Sequence, residues 1–243
     1  MIFLRRAERM TGTMLKRLAQ FILDLLFPPR CVFCGEIIPP GTQVCRACAE
    51  TVTPCGTIRR LELPEDGGQI PCAALYPYED KVRASILRYK FHGEKQNAEY
   101  YAEKLAAFVK LAYPGIAFSL VTWVPLSEER KKERGYDQAE CIARPLAKAL
   151  SLPCAPCLRK AKANRMQHFL SRGERVGNVH GVYAPTGGEA MGKKVLLVDD
   201  IVTTGATLAE CAKMLLRGGG AEAVFCAAVA QAEPEHVEKS SLL

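Results

Sequence analysis

Apolar runs alternate with amphipathic stretches from about Tyr76 to the carboxyl end of the chain. Three runs are apolar enough to be strands buried on both faces: 119–126, 193–199 and 221–230. Two stretches repeat apolar positions at helical spacing, 137–151 and 206–220, and the second ends in glycines that can adopt positive φ. This alternation predicts an α/β fold with a parallel sheet flanked by helices.

The amino end follows a different pattern. Apolar residues recur there at helical spacing until Pro28 and Pro29 stop the pattern: Leu15, Leu18, Ile22, Leu25 and Leu26. We interpret residues 1–30 as an amphipathic helix packed on its own domain, with a membrane-surface or partner helix as the alternative. No segment is long and apolar enough to cross a bilayer, and the scattered charges of the amino end make a poor secretory signal, so we expect a cytoplasmic protein.

The chain has 11 cysteines, and four of them form two Cys-x-x-Cys pairs separated by ten residues: Cys31, Cys34, Cys45 and Cys48. Two such turns complete the tetrahedral four-sulfur site that structural zinc prefers. A segment this short cannot bury enough apolar surface to fold alone, so metal binding would supply much of its stability. We therefore predict a zinc module over residues 31–58, with a redox pair or ordinary buried cysteines as the alternatives.

The segment 59–75, between the cysteine module and the apolar runs, is rich in glycine, proline and charge. This composition predicts a linker, which leaves residues 76–243 as the second domain. The formal net charge of +7 suits a polyanion such as nucleic acid, or a phosphorylated small molecule. An excess of this size is also common on solvated surfaces, so the charge weights these hypotheses without choosing between them.

The stretch VLLVDDIVTTGATL, Val195–Leu208, follows an apolar run with two aspartates, hydroxyl residues and glycine. The expected order is a strand, the acidic pair, the residues TTGAT and then a helix. This order places backbone N–H groups and hydroxyls at the amino end of the helix, where a phosphate is stabilised. Asp199 and Asp200 would repel a phosphate in a shared pocket, so we expect them to face another part of the same ligand. Ionised carboxylates only accept hydrogen bonds, and neighbouring sugar hydroxyls donate them. A ribose 5-phosphate fits both ends.

The same residues resemble the signature of the type I phosphoribosyltransferases, which bind phosphoribosyl pyrophosphate (PRPP) with magnesium. The resemblance implies that Asp199 and Asp200 hold the ribose 2- and 3-hydroxyls. It also implies a cradle for the 5-phosphate, made by the residues that follow: Thr203, Thr204, Gly205, Ala206 and Thr207. A plain turn between strand and helix is the alternative, and it leaves the order of these three features unexplained.

Further segments narrow the resemblance. The chain resembles the ComF family, a competence-associated group that includes GntX-like proteins, over nearly its whole length. The segments that carry this resemblance are the cysteine pairs, the signature, and residues 76–93, 123–140 and 164–183. The resemblance implies an amino-terminal double zinc ribbon, a type I phosphoribosyltransferase domain and, in naturally transformable bacteria, a role in internalising single-stranded DNA. Many relatives carry two more cysteine pairs before Tyr76. Only Cys55 and Cys72 are present here, so we infer a single zinc.

Two basic segments are candidates for the diphosphate end of PRPP. The segment 124–135 follows a predicted strand where, by the resemblance, the pyrophosphate loop lies, and Arg130, Lys131 and Arg134 could meet the diphosphate. Nearby glutamates nearly balance these bases, so a solvated charged turn is an equal alternative. The segment 158–175 carries six bases against one acid. We interpret it as a lid with Arg165, Gln167 and His168 nearest the chemistry, and a groove for single-stranded nucleic acid as second.

Two functional hypotheses follow. The first is a zinc-containing protein of the ComF family that binds PRPP or ribose phosphate and assists DNA uptake by binding single strands or the uptake machinery. The second is an active magnesium-dependent phosphoribosyltransferase of nucleotide salvage, with Asp199, Asp200 and Arg165 as its catalytic residues. Phosphoribosyl transfer needs positioning and charge neutralisation more than a nucleophile, so the presence of the site residues leaves catalysis open.

Overall fold

The computed structural model describes residues 27–63, 67–160 and 182–232. The chain divides into two compact units between Val52 and Thr53. In chain order the elements are α1 (Arg46–Thr51), β1 (Thr57–Glu62), β2 (Gln69–Pro77), α2 (Asp80–Phe91), α3 (Asn97–Ala112), β3 (Leu120–Trp123), α4 (Glu128–Arg134), α5 (Gln138–Leu150), β4 (Leu158–Lys160), β5 (Tyr183–Pro185), β6 (Lys194–Val202), α6 (Ala206–Arg217) and β7 (Ala223–Gln231).

The larger unit is built on a five-stranded sheet in the order β1-β2-β7-β6-β3. The four strands from β2 to β3 are parallel, and β1 joins the edge antiparallel to β2. The three apolar runs of the sequence are β3, β6 and β7, and the two amphipathic stretches are α5 and α6. The predicted α/β fold is confirmed. Strands covered by helices on both faces must be apolar throughout, which explains why the continuous apolar runs were sufficient to locate these three strands.

The segment 59–75 is not a linker, and its composition misled the prediction. It contains most of β1 and β2, which pair with each other and extend the sheet beyond β7. The side chains of β1 alternate, with Leu61 buried and its neighbours Arg60 and Glu62 exposed. Half of an edge strand faces solvent, so its charged residues resemble those of a linker. The second domain therefore begins before Tyr76.

The amphipathic helix predicted within residues 1–30 lies outside the described residues except for 27–30. Within the described ranges, every helix is too short or too polar to cross a bilayer. The smaller unit, as far as it is described, consists of two cysteine-bearing turns and the short helix α1, with an isolated bridge between Arg30 and Ile37. Its stability therefore depends on something other than an extended apolar core.

Candidate functional site

The predicted phosphate cradle is the turn between β6 and α6. Gly205 precedes the first residue of α6 and has a φ of 86°, in the left-handed region that favours glycine. A Cβ atom at this position would lie 2.5 Å from Leu61 Cδ2, so the turn also needs glycine for space. Thr203 and Thr204 are exposed, and the Ala206 N–H donates to Thr204 Oγ1 at 3.3 Å. The turn therefore presents hydroxyls and free N–H groups at a helix amino end, as anion binding requires.

The acidic pair lies near the carboxyl end of β6. The backbone N–H of Asp200 donates to Asp199 Oδ1 at 2.8 Å. Burial, and then the charge of Asp200, raise the pKa of the Asp199 carboxyl well above its usual range, while the charge of Lys90 opposes this rise. Two adjacent carboxylates in a partly dry site therefore need a compensating charge or hydrogen-bond donors, which a ligand with neighbouring hydroxyls supplies.

Lys90 supplies part of the compensating charge, and the sequence analysis did not identify it. Its Nζ lies 3.1 Å from Asp200 Oδ1, and both side chains are largely buried. The preceding residue, Tyr89, is fully buried and donates a hydrogen bond from its hydroxyl to the Gln138 carbonyl at 2.7 Å. This anchor fixes the end of α2 and so positions Lys90. No spacing rule links Lys90 to Asp200, so only the fold shows the pair.

The predicted pyrophosphate loop is largely the short helix α4. Arg130 and Lys131 are exposed on it, and Lys131 Nζ lies 3.7 Å from a Glu140 carboxylate oxygen. Arg134, at the end of α4, lies 4.9 Å from the centre of the Phe91 ring and donates to Gln138 Oε1 at 3.0 Å. Phe91 follows Lys90 in α2, so Arg134 is brought to the same end of that helix.

The charge of Arg130 also affects the pKa values of Tyr183 and Lys160. Burial raises the pKa of the Tyr183 hydroxyl, and the charges of Asp199 and Arg130 both act on it. Burial, together with the charge of Arg130, lowers the pKa of Lys160, whose ammonium lies 5.8 Å from the centre of the Tyr183 ring. The lid residues of the sequence analysis, Arg165, Gln167 and His168, lie outside the described residues.

The four cysteines of the smaller unit meet at one point. Their Sγ atoms all lie within 4.8 Å of one another, and the Sγ atoms of Cys34 and Cys45 are 3.7 Å apart. Zinc–sulfur bonds of about 2.3 Å in a tetrahedron place two sulfurs about 3.8 Å apart, so the arrangement fits zinc. Among the described residues, this is the one group of three or more cysteine, histidine or acidic side chains that could hold a metal. Cys55 and Cys72 are not part of it.

Hydrogen bonds prepare one of these thiols for metal binding. Burial raises the pKa of the Cys31 thiol, but N–H donors of Cys34, Cys45 and Phe33 outweigh burial and lower it to about 7. The Cys45 N–H donates to Cys31 Sγ at 3.4 Å. Zinc binds thiolates, so donors aimed at the sulfur support the ligand role. The cluster also argues against a redox pair, because four thiols converge where two would suffice.

Comparison with known proteins gives two family matches that agree with these sites. Residues 22–59 match the double zinc ribbon domain, which contains all four clustered cysteines. Residues 138–241 match the phosphoribosyl transferase domain, which contains the acidic pair and the cradle. Together with the cysteine cluster, the first match confirms a structural zinc site. The second confirms the type I phosphoribosyltransferase-like fold.

Two curated proteins are similar to this chain over more than half of its length. The chain is 28% identical over 208 residues to the DNA utilization protein YhgH of Escherichia coli (strain K12), covering 81% of this chain and 88% of that protein. It is 29% identical over 153 residues to the competence protein ComFC of Bacillus subtilis (strain 168), covering 62% of this chain and 60% of that protein. The chain fits the ComF family. The resemblance predicted from its motifs is therefore confirmed.

Solved structures with a likeness to this chain include two enzymes. One is the glutamine PRPP amidotransferase of B. subtilis, with a TM-score of 0.42 and 21% identity, covering 58% of this chain and 30% of that chain. Another is an adenine phosphoribosyltransferase, with a TM-score of 0.40 and 17% identity, covering 76% of this chain and 90% of that chain. The fold assignment rests on the match to the phosphoribosyl transferase domain and on the strand order.

Proposed function

We propose that this ComF-family protein binds PRPP, or a related ribose 5-phosphate, together with magnesium, and that it assists the uptake of single-stranded DNA. One observation carries the proposal: the acidic pair near the end of β6 is followed by the phosphate cradle before α6. Lys90 of α2 supplies a positive charge beside the acidic pair. A phosphate and a sugar diol need opposite kinds of partner, and this unit offers both.

The residues would divide the ligand between them. The N–H groups and hydroxyls of Thr203–Thr207 would hold the 5-phosphate, and Asp199 with Asp200 would accept hydrogen bonds from the ribose hydroxyls. Lys90, Arg130 and Arg134 would face the diphosphate, with Lys131 at the exposed edge and Arg165 proposed as a further contact. Magnesium, when bound, would neutralise part of the diphosphate charge. These contacts bind and orient the ligand, and transfer would additionally require an acceptor base.

The DNA part of the proposal rests on the relatives and on charge. The relatives are named as competence and DNA utilization proteins, and the chain has an excess of seven positive charges. Arg159 and Lys160 of β4 line a cavity together with Lys131 of the predicted pyrophosphate loop, and a nucleic-acid backbone is a chain of phosphate anions. We propose that single strands bind through such basic residues, independently of the acidic pair.

Calorimetry with magnesium and PRPP tests the ligand. We expect the zinc-loaded wild type to bind PRPP and Asp200→Asn to lose about tenfold or more in affinity, because one hydrogen bond to a charged group contributes about 1.5–3 kcal/mol. Glu103→Gln, which removes an exposed acid from α3, serves as the control and should bind like the wild type. A folded wild type that does not bind PRPP would refute the ligand proposal.

Anisotropy with a labelled single-stranded oligonucleotide tests the DNA part separately. We expect Asp200→Asn to bind DNA as the wild type does, and the double variant Arg159→Gln, Lys160→Gln to bind it more weakly with a shallower salt dependence. If wild type shows no salt-dependent binding of the oligonucleotide, the DNA proposal fails even where PRPP binds. Single-turnover assays with nucleobases and PRPP would then show whether the ligand is consumed.

A further inference from the structure

The hairpin of β1 and β2 forms one side of the phosphate cradle. Thr57, Arg59 and Leu61 alternate with exposed residues along β1, so their side chains share the less exposed face of this edge strand. Leu61 approaches the cradle so closely that a Cβ atom on Gly205 would collide with it. The strand that resembled a linker in the sequence is thus in contact with the turn that would hold the 5-phosphate.

Arg59 makes the polar contact between this strand and the cradle. Its Nη2 donates a hydrogen bond to the Thr203 carbonyl, and the same nitrogen lies 3.0 Å from the position that a Gly205 Cβ would occupy. Thr203 and Gly205 are the first and last residues of the turn between β6 and α6. The guanidinium therefore lies against the backbone of the cradle rather than in open solvent.

A cavity of about 710 Å³ opens beside this contact. Its lining includes Arg59, Leu61, Thr204, Gly205 and Ala206. Arg59 Nε is buried and has no hydrogen-bond partner among the described residues. A buried donor without a partner is costly, so the guanidinium keeps unused hydrogen-bonding capacity beside the cradle.

The charge of Arg59 is also uncompensated by an acid in close contact. Within the described part of the chain, no carboxylate forms a salt bridge with it. Its field is felt nearby: burial raises the pKa of the Cys72 thiol to about 12, and the Arg59 charge opposes this rise. A planar guanidinium has five N–H donors, so the bond to Thr203 leaves others for a ligand.

We propose that Arg59 binds the phosphate monoester of the ligand, with one N–H holding the Thr203 carbonyl and the remaining donors contacting phosphate oxygens. The inference rests on the proposed function, because it names a further residue of that ribose 5-phosphate site. It makes the β1–β2 hairpin part of the binding site and Arg59 a specificity residue for phosphorylated over unphosphorylated sugars. Guanidinium–phosphate contacts are suited to this role because their geometry is bidentate.

The test compares two ligands that occupy different ends of the site. Ribose 5-phosphate needs the cradle, whereas magnesium pyrophosphate needs only the diphosphate end. We expect Arg59→Met to weaken ribose 5-phosphate binding roughly 10- to 100-fold, the loss of one or two charged hydrogen bonds. Magnesium pyrophosphate should bind Arg59→Met within about twofold of the wild type, since distant charges are screened.

Two further variants complete the experiment. Arg59→Lys keeps the charge without the fork, so its affinity for ribose 5-phosphate should lie between those of the wild type and Arg59→Met. Arg83→Met removes an exposed arginine from α2 and controls for net charge. Circular dichroism confirms folding of each variant before titration.

The outcomes separate the inference from the proposed function. If the wild type binds ribose 5-phosphate and Arg59→Met binds it equally well, the inference is wrong while the proposed function stands. If Arg59→Met loses both ligands in equal measure, Arg59 only supports the loop and the inference is again wrong. If the folded wild type binds neither ligand, the proposed function fails and the inference fails with it.

Discussion

Replacing Gly205 by alanine tests how closely β1 approaches the phosphate cradle. The φ of 86° at this residue disfavours any side chain, at a cost of about 1–2 kcal/mol. The added Cβ would lie 2.5 Å from Leu61 Cδ2, and overpacking of this kind costs about 1–3 kcal/mol. The two costs add to about 2–5 kcal/mol, which lowers the Tm of a unit of this size by roughly 4–20 °C.

Thermal and urea unfolding of the wild type and four variants would separate the two costs. Gly115→Ala is the control for φ alone: its φ is 74° and nothing lies within 4 Å of the added Cβ, so it should lose only about 1–2 kcal/mol. Leu61→Ala removes the colliding side chain. In that background Gly205→Ala should cost less than in the wild type, because the close contact that remains is with Arg59 Nη2, at 3.0 Å. An equal cost of Gly205→Ala with and without Leu61 would refute the close approach of β1 to the cradle.

Two further predictions concern the zinc site and the acidic pair. Purified protein should contain one zinc per chain, and removing it with a chelator should make the segment around Cys31–Cys48 sensitive to protease while the strands of the five-stranded sheet stay resistant. Two zincs per chain, or an unchanged digestion pattern, would contradict the single structural site. Asp199→Asn should raise the Tm at pH 7. The folded protein raises the pKa of the Asp199 carboxyl, so its ionisation destabilises the fold as the pH rises above the pKa that this carboxyl has in the unfolded chain. This gain should shrink as the pH approaches about 4, where the wild-type carboxyl becomes protonated in both states; a gain that does not change with pH would show that titration of Asp199 is not its cause.

The parts of the protein that the sequence predicted well are those whose residues are neighbours in the chain. The cysteine pairs carry their own spacing, which located the four-cysteine cluster. The apolar runs of β6 and β7 follow from burial on both faces. In each of these cases local order or composition determines the structure, so reasoning from short segments is sufficient.

The parts that the sequence did not predict depend on contacts between distant segments. Lys90 forms a salt bridge with Asp200, and Arg59 donates a hydrogen bond to Thr203, which is 144 positions away in the chain. Both contacts depend on the pairing of β1 and β2 beyond β7. Neither residue belongs to a spacing pattern. The charges of β1 are ordinary for the exposed face of an edge strand, so its segment could not be distinguished from a linker by composition.

The position of β1 and β2 has a consequence for cutting the protein into parts. A fragment that starts at Tyr76, where the composition changes, would lack β1 and nearly all of β2. It would expose the long edge of β7, most of whose residues are buried in the whole chain. An apolar strand edge without a neighbour is a template for pairing with other chains, so such a fragment would tend to aggregate. A cut near Thr53 keeps the hairpin and leaves the sheet with its natural border.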